Sequence, residues 1–137
     1  MHQLSFSIRH HFRSAKGGLL IPVQLAFGST LVDCEAKIDT GADYCLFERA
    51  LADSLELELE SGHLMVMESL TGSFVTYGHE ITLQTFDLAF NTTVYFAADN
   101  GITRNLLGRN GWLNLVLFGL DTYDEVLYLN AYDELTT

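Results

Sequence analysis

The run Ile38-Asp39-Thr40-Gly41-Ala42-Asp43 places a carboxyl in a glycine-containing loop directly after an apolar, strand-like stretch, Leu31 to Ile38. A carboxyl in such a place can take or give a proton during a reaction, provided that its orientation is fixed. Gly41 lets the chain turn sharply and brings backbone near the carboxylate with no Cβ in the way. Backbone N–H groups in a turn of this kind can donate to the carboxylate oxygens. Asp39 stands at the end of the apolar stretch, where a rigid strand can position a loop side chain. A second run stands out downstream: Leu106-Leu107-Gly108-Arg109-Asn110-Gly111-Trp112-Leu113.

Taken in this order, the two runs resemble those of the retropepsin-like aspartic proteases, the group that includes the retroviral proteases. That group has one Asp-Thr-Gly-Ala loop per chain and a later apolar-apolar-Gly-Arg signature. The resemblance covers Val23 to Leu129 and implies an all-β fold, the retropepsin-like acid-protease closed β-barrel with one or two short helices, assembled as a homodimer. It implies an aspartic endopeptidase with Asp39, Thr40 and Gly41 as the catalytic loop. By the same resemblance Thr40 points away from substrate and hydrogen-bonds across the molecular dyad, while Ala42 and Asp43 line the start of the substrate cleft. Gly108 and Arg109 would brace the loop, because the family's arginine pairs with the aspartate at the place Asp43 occupies. A planar guanidinium can hold that carboxylate bidentately.

Peptide hydrolysis without a metal requires a water that is deprotonated as it attacks and an acid for the carbonyl oxygen and then the leaving amine. Two carboxyls a few Å apart do both, because like charges at that distance cannot both ionise. This chain has one such loop. Asp121-Thr122 is followed by Tyr123 and lacks the glycine. The second carboxyl must therefore be Asp39 of another copy, which places the site on the axis of an isologous dimer. No cofactor and no metal enter this chemistry. Two other readings stand beside it: a dimeric peptide-binding or scaffold module on the same fold that is latent or non-catalytic, and an unrelated β-domain carrying a chance motif. An intact Asp-Thr-Gly-Ala weighs against the scaffold, which has no need of a like-charge pair at its axis.

The elements that must position these residues read as short apolar segments separated by turn residues, the pattern of a mainly β protein. Strands are expected at Leu4–Ile8, Leu19–Phe27 and Leu31–Ile38, with Ser14 to Gly18 a loop and Pro22 at an edge or ladder gap. Leu46, Phe47, Ala50, Leu51 and Leu55 fall at helical spacing, which predicts about three turns of amphipathic helix. Leu64–Leu70 and Phe74–Leu83, joined across Thr71-Gly72-Ser73, predict a hairpin. In the family such a hairpin is the flap over the cleft, and Ser69, Leu70, Thr71, Gly72 and Ser73 would lie near its tip as substrate-binding residues. Strands are further expected at Phe86–Phe90 and Thr93–Ala98, a second helix at Asn105–Leu113, and a terminal hairpin from Leu115–Leu120 and Glu125–Leu129. The 137 residues are expected to form a single domain, with residues 1–18 as an N-terminal arm and 130–137 as a tail.

Composition narrows the partners. A net charge of −11 disfavours nucleic acid, whose phosphates require a basic surface, and an anionic membrane surface. No apolar run approaches the ~20 residues that span a bilayer. The start, with Arg9, His10, His11, Arg13 and Lys16 and no continuous apolar stretch, does not read as a secretory signal. Cys34 and Cys45 make no disulfide framework, so a reduced, cytoplasmic setting is expected. Cys45, close after the loop, reads as a buried apolar residue more readily than as a redox brake. The adjacent His10 and His11 point to opposite faces of a strand and make a poor chelating pair. The expected partners are a second copy of the chain and a peptide or protein substrate.

Overall fold

The computed structural model describes residues 1–13 and 17–132. Residues 14–16, the start of the expected 14–18 loop, and the end of the tail, residues 133–137, lie outside the described residues. The described residues form ten strands and one α-helix: β1 (Ile8–His11), β2 (Leu20–Phe27), β3 (Thr30–Ile38), β4 (Leu46–Phe47), α1 (Arg49–Ser54), β5 (His63–Ser69), β6 (Gly72–Thr85), β7 (Leu88–Ala97), β8 (Leu106–Leu107), β9 (Val116–Asp121) and β10 (Val126–Ala131). Short 3-10 turns occupy Leu59–Ser61 and Leu113–Leu115.

Strand order in the larger sheet is β2-β3-β8-β4-β7-β6-β5, and β2 also pairs with β6. The second pairing, from Gln24↔Gln84 to Ala26↔Thr82, closes the sheet on itself. A closed sheet has no free edge around its ring, and its inward side chains fill the middle. Alternation on β2 shows this directly, with Ile21, Val23 and Leu25 buried and Pro22 exposed. Pro22 lies outside the stretch that pairs with β6, where its missing N–H removes nothing from that ladder. A smaller antiparallel sheet, β1-β10-β9, packs Leu127 and Leu129 into the same core as Phe47, Phe96, Leu107 and Trp112.

Four local expectations change on folding. The first strand is Ile8–His11 rather than Leu4–Ile8, because its partners on β10 begin at Ile8↔Leu129. The helix predicted from Leu46 shrinks to Arg49–Ser54. Leu46 and Phe47 instead pair with Tyr95 and Phe96, since tertiary sheet hydrogen bonds outweigh local helical spacing. Phe86–Phe90 and Thr93–Ala98 merge into one strand, β7, whose Asn91 and Thr92 pair with Thr82 and Ile81. Asn105–Leu113 is not a helix. Leu106 and Leu107 are drawn into the sheet as β8 between β3 and β4. Gly111, at φ 110, then takes a conformation that a right-handed helix excludes. All that remains of a helix is a wide turn in which the N–H groups of Leu113 and Asn114 donate to the carbonyls of Gly108 and Arg109.

Trp112 anchors this region in the core. It is fully buried, and its Nε1–H donates to Thr85 Oγ1 at 3.1 Å, itself fully buried at the end of β6. Replacing Thr85 by valine keeps the shape but leaves the indole N–H without an acceptor. The expected cost is about 1–3 kcal/mol of stability, to be read as a lower urea midpoint at unchanged slope. An unaltered midpoint would contradict the assignment.

Candidate active site

The loop after β3 is built by threading β8 through it. β8 runs parallel to the end of β3, with Lys37↔Leu106 and Ile38↔Leu107 in register, and antiparallel to β4 at Leu46↔Leu106. It therefore fills the gap between the two arms of the loop. The Asp39 N–H donates to Leu107 O at 3.0 Å, and on the other arm the Arg109 N–H donates to Ala42 O at 2.9 Å. Ala42 N–H closes the turn onto Asp39 O at 3.1 Å. The Gly41 N–H donates to Asp39 Oδ1 at 2.9 Å and so fixes the carboxylate. An added Cβ at Gly41 would lie 3.3 Å from that same oxygen, which makes the close approach a property of glycine. Asp39 is half-buried, while Thr40, Gly41 and Asp43 are exposed.

Gly108 is the tightest point. A Cβ there would sit 2.2 Å from Tyr44 O and 2.9 Å from Ala42 O. Both are backbone atoms of the loop, so no side-chain rotation can relieve the clash. Arg109 Nη2 pairs with Asp43 Oδ1, with the two side chains 55% and 64% exposed. Asn110 adds two contacts that reading the motif alone did not single out. Its backbone N–H and its Nδ2 both donate to Asp43 O, at 2.8 and 2.9 Å. Its place directly after Arg109 was the available signal.

The structure brings Asp39, Thr40, Gly41, Ala42 and Asp43 together with Gly108 and Arg109. The candidates at the β5–β6 turn stand apart. The turn is the two residues Leu70 and Thr71, not Thr71-Gly72-Ser73, since Ser69 ends β5 and Gly72 and Ser73 begin β6. Its hydrogen bonds are internal, with Ser69 Oγ donating to Gly72 O at 2.9 Å and accepting from the Thr71 N–H at 3.4 Å. Among the described residues no hydrogen bond links this turn to the Asp39 loop. Leu70 is fully exposed, and Leu64, Val66 and Val75 leave apolar surface along the same hairpin. His10 rests against the Phe86 ring at 5.0 Å, and burial together with neighbouring His11 lowers its pKa.

Cys45 lies behind the loop, fully buried, with Sγ 4.0 Å from Gly108 O. Burial pushes its thiol up to about 11. Burial, with Glu48, Asp33 and Glu35 adding to it, pushes Cys34 up to about 12. Neither is a thiolate near neutrality, which removes the nucleophile that oxidation needs.

Two expectations follow from this geometry. Gly108→Ala forces loop backbone apart and costs at least about 1–3 kcal/mol, whereas Arg109→Ala removes an exposed pair worth no more than about 1 kcal/mol; thermal unfolding that ranked them the other way round would refute the threading account. The cysteines set an alkaline limit. The folded state keeps its thiol protons above pH 9.0, where the unfolded chain loses them, so stability falls as pH rises from there through about 11. Urea titrations across that window in wild type and Cys45→Ala should show the slope reduced in the variant.

No family model and no curated protein matches the sequence. Solved structures do. A retropepsin-like aspartic protease from Rickettsia conorii is similar over 96% of this chain and 98% of its own, with a TM-score of 0.65 at 18% identity. EIAV protease, in complex with the inhibitor HBY-793, is similar over 72% of this chain and 88% of its own, with a TM-score of 0.55 at 18% identity. Identity at this level speaks for the fold, and the fold of this chain is that of the retropepsin-like aspartic proteases.

Proposed function

We propose that this chain is an aspartic endopeptidase that acts as a homodimer on peptide or protein substrates. The observation that carries the reading is the Asp39 carboxylate, held at 2.9 Å by the Gly41 N–H at the end of β3 on this fold. Asp39 from each copy would meet at the dimer axis and share a proton, since two adjacent carboxylates cannot both ionise. The ionised carboxyl takes a proton from water as it attacks the scissile carbonyl; the protonated one donates to the carbonyl oxygen. The amide nitrogen is then protonated and leaves.

Thr40 and Gly41 complete the catalytic loop, Thr40 bonding across the axis. Ala42 and Asp43 begin the cleft, with Gly108 and Arg109 supporting it from behind. The exposure of Thr40, Gly41 and Asp43 leaves this loop free for a second copy and for substrate. The hairpin tip, Ser69 to Ser73, would close over an extended peptide and offer it backbone hydrogen bonds. Residues 1–137 act as one domain in this reading, in the cytoplasm, without cofactor. No helix among the described residues is long and apolar enough to cross a membrane.

The test is cleavage of a proteome-derived peptide library from acid to neutral pH, wild type beside Asp39→Asn, with sedimentation of both. Wild type is expected to cleave and sediment as a dimer. The variant should remain dimeric and lose at least about a hundredfold in rate. Equal cleavage by both proteins would remove Asp39 from the chemistry; a dimer that binds peptides but cleaves none would favour the scaffold.

A further inference from the structure

A groove of about 430 Å³ opens beside the loop, lined by Tyr44, Glu80, Asn91, Thr93, Tyr95 and Asn110. Its walls come from β6, β7 and the segments around Tyr44 and Asn110. Tyr44 follows Asp43 directly and forms a bridge with Asn110, whose amide holds Asp43 O. Glu80 lies on β6, the strand that continues into the β5–β6 hairpin.

The groove is shaped by two glycines. Tyr95 lies over Gly78, where a Cβ would come within 2.7 Å of its ring. Gly111, at φ 110, lets the floor pass 2.9 Å from Thr93 O, counted from a Cβ position that no other residue could fill. Tyr44 meets Tyr95 edge-on, with ring centroids 5.2 Å apart.

The charge of the lining is one-sided: Glu80 is its one ionisable carboxylate and no basic side chain stands beside it. Glu80 is exposed, and no cation among the described residues pairs with it. A carboxylate only accepts hydrogen bonds, and a phenol oxygen can accept as well. Asn110 donates one side-chain amide hydrogen to Asp43 O, and Asn91 Oδ1 accepts from Thr82, so both amides are held in place as neutral polar walls. Tyr95 is buried and backs the half-buried Tyr44 ring. An ionised carboxylate beside that ring is the complement of a donor-only cation, because charge pairing and a cation–π contact act on the same group. Arginine and lysine side chains are such groups.

We infer that this groove is a specificity subsite, in which Glu80 with Tyr44 and Tyr95 receives an arginine or lysine side chain of the protein substrate at a point removed from the scissile bond. The inference deepens the protease reading and rests on it for the word substrate. The binding itself does not depend on catalysis. Glu80 selects by charge, and Tyr44, backed by the buried Tyr95, holds the flat or extended stem.

Two arms test it. In the first, isotope-labelled full-length protein is titrated with acetyl-arginine amide and with its uncharged citrulline counterpart, following the backbone signals of Gly78, Thr93 and Tyr95. Saturable shifts with arginine are expected, about tenfold weaker with citrulline, which loses one exposed charge pair and one cation–π contact, and about threefold weaker in Glu80→Gln, which loses the charge pair alone. No shifts, or equal shifts for both probes or both proteins, overturn the proposal. In the second, the peptide library is compared between wild type, Glu80→Gln and Glu80→Lys. A basic residue enriched at a fixed distance from the cleaved bond, flattened in the first variant and replaced by an acidic one in the second, supports the subsite. Cleavage with no basic preference overturns it. Absence of all cleavage would instead sink the protease reading, and the first arm would still decide whether the groove takes a cation.

Discussion

Everything around Asp39 depends on one steric fact: the backbone of Leu106 to Asn110 passes between the arms of the Asp39 loop with no room for a side chain at Gly108. A Cβ there would overlap the Tyr44 carbonyl. That contact lets β8 donate and accept on both flanks, so Asp39, Ala42 and Asp43 are each tied to a segment almost seventy residues later in the chain. A loop fixed this way keeps the carboxylate in place without an ordered ligand, which is the preorganisation that acid–base chemistry requires.

Energy and position are divided between different groups. The Arg109–Asp43 pair is visible and charged, yet more than half of each side chain faces water, where such pairs contribute little to stability. The stabilising share belongs to buried matter: the closed sheet, the apolar layer from Ile21 to Leu129, and Trp112 bonded to Thr85. Arg109 orients; the barrel holds. The same division applies at Cys45, whose burial makes it part of the packing behind the loop instead of a reactive group.

The fold class, the Asp39 loop and the hairpin at Ser69 to Ser73 were legible because each depends on neighbours in sequence. Alternation marks a half-buried strand, and a glycine marks a turn. The failures share one cause. Leu46-Phe47 and Leu106-Leu107 are two-residue strands with helical spacing around them, and nothing local distinguishes such a pair from the start of a helix. Their strand partners, Tyr95 and Phe96 for one and Lys37 and Ile38 for the other, lie far away in the chain. The groove at Glu80 was equally invisible, because its lining comes from the segments around residues 44, 80, 93 and 110.

By itself, then, the sequence singled out one carboxyl as the candidate for chemistry, showed that the chain is mainly β, and gave a reason for glycine at position 41; the steric need for Gly108 came from the fold. Only the tertiary structure decided that these motifs interlock, that the second is a strand and a wide turn, and that a carboxylate and two tyrosines share one groove. The physical reason is range. Side-chain alternation and turn preference act over a few residues, whereas a parallel pairing such as β3 with β8 becomes favourable only once the intervening chain has folded.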